Sequence, residues 1–438
     1  MKKFFGTDGI RGKTGEYPVT PDFFVKLGYA AGLVLTKNIK GNKKPSVVIG
    51  KDTRISGYML ESSLEAGFSS AGVDVYLTGP IPTPAIAFLT QSLIADIGIM
   101  ITASHNPYED NGIKLFSSNG SKLSDVVENE IEKMIESEIK CVEPSKLGKA
   151  RRLDNARAQY IEFCLKTIPK KLNLKNYKIV LDCAHGATYQ VAPEIFRTLG
   201  ADIVLINHEP DGLNINFQAG STHPEFLIDN VKSHKADLGI AFDGDGDRVI
   251  MVSDQGELVD GDQILYLIMD YYHNQNKLKG GIVGTLMTNL ALEEKCKSLD
   301  ISFERTDVGD RYVSEMLRKK SWEIGGENSG HIVLLNHHST GDGIISSLQV
   351  ISALLEKNKK ISEVLKEMPM YPQVLINIPL VNKIDINSIF IQEIILSAEK
   401  MMDGLGRVLI RASGTQSLLR VMTEGPSCLL YTSDAADE

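Results

Sequence analysis

Apolar positions along the chain fall into two rhythms. Short runs such as SVVIG (46–50), DVYLTG (74–79), ADIGIMIT (95–102), KIVLD (178–182), ADIVLIN (201–207), DLGIAFD (237–243), GGIVGT (280–285) and ISFERT (301–306) are rich in β-branched residues and bounded by polar or glycine positions. They predict strands. Between them lie longer segments of helical pattern, including MLESSLEAGFSSAG and YQVAPEIFRTLG. The second ends on a glycine, a common helix stop. Strands alternating with helices indicate an α/β fold with mixed or parallel sheets.

Three units of this kind follow one another, and the ending differs. Polar, turn-rich stretches mark the joints: EPSKLGKARRLDN (143–155), SDQGELVDGDQ (253–263) and EKNKKISEVLKEMPMYPQ (356–373). We therefore expect three similar α/β domains over 1–150, 151–255 and 256–368. QVLINIPL, RVLIRAS and LLRVMTE suit a smaller α+β domain over 369–438. The repetition is architectural, with no close sequence repeat. Each part carries one loop rich in glycine and polar groups: TASHNP (102–107), DGDGDR (243–248), GGENSGH (325–331) and RASGTQSLLR (411–420). Loops at strand ends are where α/β folds place chemistry, so four of them imply a central cleft between domains.

In DGDGDR, Asp243, Asp245 and Asp247 can converge because the intervening glycines lack Cβ atoms. Three like charges need a cation, and an all-oxygen set suits Mg²⁺ better than Zn²⁺. A solvated acidic turn or a Ca²⁺ loop is the competing reading. In TASHNP, Ser104 and His105 are sequence neighbours, which point apart in strands and helices, so they make a poor nucleophile–base pair. No G-x-S-x-G elbow is present. Ser104 can instead bear a phosphoryl group, with the aspartates supplying a metal and Lys114 of NGIK supplying positive charge; a plain turn is the alternative. Glu327, Ser329 and His331 sit among glycines in a loop suited to sugar hydroxyls, or in a glycine-rich hairpin. Arg411, Ser413, Gly414, Thr415 and Arg420 read as a phosphate cradle, or as a strand–turn–strand with a surface arginine.

Composition narrows the classes. The 438 residues are 42% hydrophobic and 24% charged, ordinary for a soluble globular protein. Lysine and arginine number 47 against 56 aspartates and glutamates, a net charge of −9 that argues against nucleic-acid binding. Cys141, Cys164, Cys183, Cys296 and Cys428 form no C-x-x-C pair, and a reducing cytoplasm is the simplest setting. No stretch approaches the roughly 18 apolar residues of a membrane span, so no membrane partner is expected.

The four loops, in this order, resemble the α-D-phosphohexomutase superfamily. FGTDGIRG (5–12) and GSTHPE (220–225) are similar to its bacterial phosphoglucosamine mutase branch, and the resemblance runs from residue 4 to about 425. It implies an isomerase with Ser104 as the phosphorylated serine and Asp243, Asp245 and Asp247 as ligands of one Mg²⁺, the serine phosphate completing the site. It implies Glu327 and Ser329 as contacts to sugar hydroxyls. Arg411, Ser413, Gly414, Thr415 and Arg420 would hold the non-reacting phosphate. Arg11, His105, Lys114, Arg248 and His331 would line the reaction centre, Lys114 and His331 being the proton-transfer candidates. TDVGDR (306–311) matches another family loop, with Asp310 shaping the pocket.

The implied reaction converts glucosamine 6-phosphate to glucosamine 1-phosphate through a hexose 1,6-bisphosphate. The bisphosphate also serves as primer, and the product supplies UDP-N-acetylglucosamine synthesis. The hexosamine phosphate is the expected partner, together with a second copy of the chain in a homodimer. A phosphoglucomutase or phosphomannomutase would run the same chemistry. A non-catalytic sugar-phosphate binder and a metal-dependent phosphatase are the readings from other classes.

Two departures stand out. The fourth loop reads Ser413-Gly414-Thr415-Gln416-Ser417 where the family more often has S-G-T-E-P. After RVMTEGP the chain ends in SCLLYTSDAADE, which lacks an amphipathic repeat and reads as foreign to the fold, so Cys428 carries no functional reading.

Overall fold

A computed structural model describes residues 3–6, 8–37, 43–380, 385–386, 388–402, 405–412 and 418–425. Ser413, Gly414, Thr415, the neighbouring Gln416 and Ser417, and the unusual tail with Cys428 lie outside the described residues.

The apolar runs form strands close to where their pattern puts them. The first sheet contains β1 (Ile10–Lys13), β2 (Ser46–Lys51), β3 (Asp74–Pro80), β4 (Ile97–Ile101), β5 (Asp110–Ser117) and β6 (Ala150–Arg152), in the order β1-β5-β4-β2-β3-β6. Strands β4, β2, β3 and β6 run parallel, while β5 is antiparallel to both β4 and β1. The second sheet contains β7 (Lys178–Asp182), β8 (Asp202–Ile206), β9 (Leu238–Phe242), β10 (Val249–Ser253) and β11 (Leu258–Val259), in the order β11-β10-β9-β7-β8. The third contains β12 (Ile282–Thr285), β13 (Phe303–Thr306), β14 (Ile324–Gly326) and β15 (Ile332–Leu334), in the order β13-β12-β14-β15. All three are mixed: a parallel set is extended on one side through antiparallel pairing, by β5 and β1 in the first, β10 and β11 in the second and β15 in the third.

This shared topology places the chemistry. In each sheet the last parallel strand turns directly into its antiparallel neighbour: β4 into β5, β9 into β10, β14 into β15. The three turns are TASHNP, DGDGDR and ENSGH. Strands β4 and β9 are buried along their whole length, which is why IGIMI and LGIAF read as unbroken apolar runs. The polar loops that follow them emerge from the sheet ends.

The fourth sheet is antiparallel, with β16 (Gln373–Pro379), β17 (Arg407–Ala412) and β18 (Leu418–Glu424) in the order β16-β18-β17. It carries the helix Ile389–Met401. Neither β16 nor this helix buries a residue fully. Glu424, fully buried, ties the sheet to the third unit. Its carboxylate accepts from Leu290 N (2.9 Å), at the start of helix Leu290–Ser298, and from Arg407 Nε (2.6 Å). Arg407 in turn donates to the carbonyls of Leu286 and Thr288.

One hydrophobic core runs through the second and third units and into the first, joining Met100, Phe116, Tyr160, Phe242, Ile264 and Ile344 among others. No helix among the described residues is long and apolar enough to cross a membrane.

Candidate active site

The loops from the first three sheets converge. Ser104 sits just after β4 with φ 53°, in the left-handed region. Its Oγ donates to Asp243 Oδ2 at 2.7 Å. It also lies 3.4 Å from His105 Nδ1. The expectation that these neighbours point apart belongs to regular backbone. The left-handed residue turns both to one side, although Asp243 is the closer partner of Ser104.

Asp243, Asp245 and Asp247 are buried, and each offers an oxygen within 4.8 Å of the others. Asp245 Oδ1 has no hydrogen-bond partner among the described residues, and Asp247 Oδ1 faces His331 Nδ1 at 3.5 Å. Burial first, and then the charges of Asp245 and Asp247, push the Asp243 carboxyl well above the usual range. Buried carboxylates that repel one another, with an oxygen of Asp245 left unpartnered, fit a hard divalent cation. Gly244 is needed for this convergence: a Cβ there would lie 2.6 Å from both Ser104 O and Asn216 Nδ2.

Lys114 reaches the same cluster from β5. Its Nζ lies 2.6 Å from Asp247, 2.8 Å from Asp245 and 3.3 Å from Asp8. Burial lowers its pKa, but the three carboxylates outweigh that and raise it well above normal. Asp8, inside FGTDGIRG, also pairs with Arg11 and Lys122. Lys122 pairs further with Asp310. His331 closes the circuit, with Nδ1 3.5 Å from Asp247 and Nε2 3.4 Å from Asp310. Burial disfavours the imidazolium, yet Asp247 and Asp310 raise its pKa to about 9. Lys114, Asp247, His331, Asp310, Lys122 and Asp8 thus form a ring of alternating charge. The ring of His331 lies against Gly341, where a Cβ would come 2.3 Å from Nε2.

Burial, then Arg248 and Arg11, lowers the pKa of His105 to about 4, so its imidazole is neutral near pH 7. Arg248 N donates to Asp243 Oδ1 at 3.1 Å. Glu327 is buried and accepts from Gly309 N at 2.9 Å, while Ser329 is half-buried in the same turn. Arg411 and Arg420 stand directly opposite each other on β17 and β18. Facing like charges are unfavourable unless an anion sits between them. Burial and then Arg420 lower the Arg411 pKa, and Arg420 Nε has no hydrogen-bond partner among the described residues. The structure therefore gathers Arg11, Ser104, His105, Lys114, the three aspartates, Arg248, Glu327 and His331, with Arg411 and Arg420 in the fourth sheet.

Sequence reasoning missed five participants, Asp8 among them. Thr83 donates to Asp245, Lys122 bridges two units, and Arg54 and Asn216 hold the serine loop. Only Asp8 lay inside a motif already singled out.

Known proteins match this arrangement over the whole chain. Models of the phosphoglucomutase/phosphomannomutase family match its alpha/beta/alpha domain I at residues 2–141, domain II at 158–256 and domain III at 260–371, and its C-terminal domain at 354–428. A phosphoglucosamine mutase of Nitrosospira multiformis is 54% identical over 430 residues, 97% of this chain and 93% of that one. Another from Methylobacillus flagellatus is 54% identical over 97% of this chain and 94% of that one. The chain belongs to the phosphoglucosamine mutase family. Among solved structures, a phosphoglucomutase/phosphomannomutase family protein of Burkholderia thailandensis superposes with a TM-score of 0.80 at 23% identity, covering 98% of this chain and 95% of that one. An Aspergillus fumigatus N-acetylphosphoglucosamine mutase gives 0.66 at 18%, covering 98% and 93%. At these identities the likeness is one of fold, and it extends the family architecture across all four domains.

Proposed function

We propose that the protein is an isomerase that interconverts glucosamine 6-phosphate and glucosamine 1-phosphate, with Ser104 carrying the phosphoryl group and a 1,6-bisphosphate as intermediate. The carrying observation is the contact between Ser104 Oγ and Asp243 inside a buried carboxylate cluster that Lys114 also enters. A lone solvated turn would not bury a serine hydroxyl against three acids. The full-length similarity to phosphoglucosamine mutases supports the amino-sugar substrate.

Asp243, Asp245 and Asp247 would hold Mg²⁺, which when bound draws charge from the transferring phosphoryl oxygens. The remaining work falls to side chains. Arg411 and Arg420 bind the phosphate that is not reacting, aided by the loop at 413–417. Glu327 and Ser329 orient the sugar hydroxyls. Arg11 and Arg248 offset charge that spreads over the phosphoryl oxygens. His331, held as imidazolium at neutral pH, can give up a proton, and Lys114 is the second proton-transfer candidate. The Ser104 Oγ–P bond breaks as the bond from phosphorus to O1 of the substrate forms, and the proton leaving O1 is balanced by the one that His331 or Lys114 returns to Ser104 Oγ. After the bisphosphate turns over, its 6-phosphate returns to Ser104.

The test is product analysis. Purified protein with Mg²⁺ and a trace of hexose 1,6-bisphosphate receives glucosamine 6-phosphate, glucose 6-phosphate or mannose 6-phosphate, and each 1-phosphate is quantified. Preference for glucosamine is expected. Preference for glucose or mannose transfers the same chemistry to the sister activity, and release of inorganic phosphate without isomerisation overturns the reading.

A further inference from the structure

We propose that Arg54 and Asn216 are positioning residues that form a clamp, one side chain from domain I and one from domain II, fixing the reactive conformation of the Ser104 loop. Its catalytic consequence rests on Ser104 as phosphoryl carrier; the clamp itself does not.

A serine with positive φ persists only where its surroundings over-determine the backbone. Here both polar backbone groups of Ser104 are held. Ser104 N donates to Thr102 Oγ1 at 2.8 Å. Ser104 O accepts from Arg54 Nη2 at 3.0 Å and from Asn216 Nδ2 at 2.8 Å. The carbonyl of Asn106 accepts from the same two side chains, at 2.8 and 2.9 Å. Arg54 Nη1 adds longer bonds to the carbonyls of Asn106 and Pro107, both 3.3 Å. Two side chains from different domains thus grip the same pair of carbonyls.

The residue types suit this task. A guanidinium presents a planar fork of donors that one ammonium cannot reproduce. Arg54 is fully buried, and its charge is matched by the equally buried Asp52 at 3.1 Å. The amide of Asn216 spans two acceptors with one nitrogen, whereas an aspartate there would face two carbonyl oxygens with no proton to give. Asn216 is itself left-handed, at φ 60°, and Ala184, His185 and Gln218 around it also have positive φ. Its backbone N is anchored to Ala184 O at 2.9 Å. Two further bonds join the domains beside the clamp, Thr53 Oγ1 to His185 O (2.6 Å) and Ile55 N to Gly212 O (3.0 Å). Backbone strain on the domain II side therefore supports a donor aimed at strained backbone on the domain I side. The seating of one domain on the other fixes where Ser104 Oγ points, and phosphoryl transfer needs that oxygen returned to the same place in each half-reaction.

The experiment compares full-length wild type with Asn216→Gly, Asn216→Asp and Arg54→Lys. Glycine keeps the left-handed backbone and deletes the donor. Aspartate keeps the shape and reverses the hydrogen bonding. Amide hydrogen exchange of residues 102–107 is followed by mass spectrometry, alongside kcat and KM for glucosamine 6-phosphate. We expect exchange in this segment to rise about tenfold or more, with Asn216→Asp at least as affected as Asn216→Gly. We expect kcat to fall on the order of 100-fold, with KM within about twofold. A role in space-filling alone leaves Asn216→Asp close to wild type, and that result overturns the clamp. Should Arg54→Lys fail to fold, the Asn216 pair still decides. Faster exchange in the variants with no turnover in wild type keeps the clamp and removes the mutase reading; unchanged exchange with normal turnover does the reverse.

Discussion

Replacing Lys114 by methionine removes one positive charge from the point where three buried carboxylates meet. The side chain is 2% exposed, and its Nζ lies within 3.3 Å of Asp8, Asp245 and Asp247. Methionine fills similar space, so the cost is electrostatic. Breaking a buried ion pair from one side costs about 3–5 kcal/mol. For a domain of 150–250 residues each kcal/mol lowers Tm by about 2–4 °C, so the metal-free variant should melt about 6–20 °C below wild type. A divalent cation supplies the missing charge, and it no longer competes with an ammonium for Asp245 and Asp247. Binding at a hundred times Kd contributes about 2.7 kcal/mol, and the variant, with the tighter site, should gain more than wild type. Thermal melts of both proteins in chelator and in saturating Mg²⁺ measure this directly. Turnover should fall by roughly 10²–10⁴ if the lysine also moves a proton. Equal Mg²⁺ shifts in the two proteins would refute the reasoning, since the cation and the ammonium would then not share the carboxylates.

Other expectations rest on single contacts. Glu424→Ala removes the acceptor shared by Leu290 N, Arg407 and Gln373, so limited proteolysis should cut near residue 372 faster and KM should rise more than kcat falls. Gly341→Ala places a Cβ 2.3 Å from His331 Nε2; kcat should drop at least about 100-fold with the circular dichroism spectrum kept. Burial raises the Asp342 carboxyl from 3.8 to about 6 despite bonds from Ile345 N and Tyr160. The folded protein then holds a proton that the unfolded chain has released, so stability falls as pH rises from about 4 to 6, by about 3 kcal/mol for this group. Asp342→Asn should shrink the difference in denaturation midpoint between pH 4.5 and 7, and an unchanged difference would assign that slope to other groups.

Much of this was legible in the sequence, for a physical reason that also marks the limit. KIVLD and LGIAF could be read because fully buried strands leave unbroken apolar runs. DGDGDR and TASHNP could be read because polar residues and glycine cluster where such runs stop. Strand direction left no trace: nothing in NGIKLF says that β5 runs against β4, yet that reversal brings Lys114 back over the aspartates. Nor does ARR, polar and three residues long, announce that β6 extends the first sheet beside β3. The longer-range partners were equally silent. Arg54 grips carbonyls about fifty residues away, and Lys122 bridges Asp8 to Asp310, through contacts that exist only once separate units have docked.

The charges assembled by that docking bear on the proposal that a metal ion and a phosphoryl group share this site. The acids gathered at the centre are Asp8, Asp243, Asp245, Asp247, Asp310 and Glu327, and the bases are Arg11, Lys114, Lys122, Arg248 and His331. The two sets nearly balance, and six of these groups alternate around the ring, so neither an isolated cation nor an isolated phosphate enters without upsetting the balance. A phosphoserine brings about −1.5 to −2 charge, and a divalent cation cancels it. Entering as a pair, they leave the buried cluster as close to neutral as it was, and the desolvation cost that each would face alone is offset by the other. On this argument the aspartates and Ser104 form one site rather than two neighbouring ones, and the 2.7 Å bond between Ser104 and Asp243 holds the place that the pair would occupy.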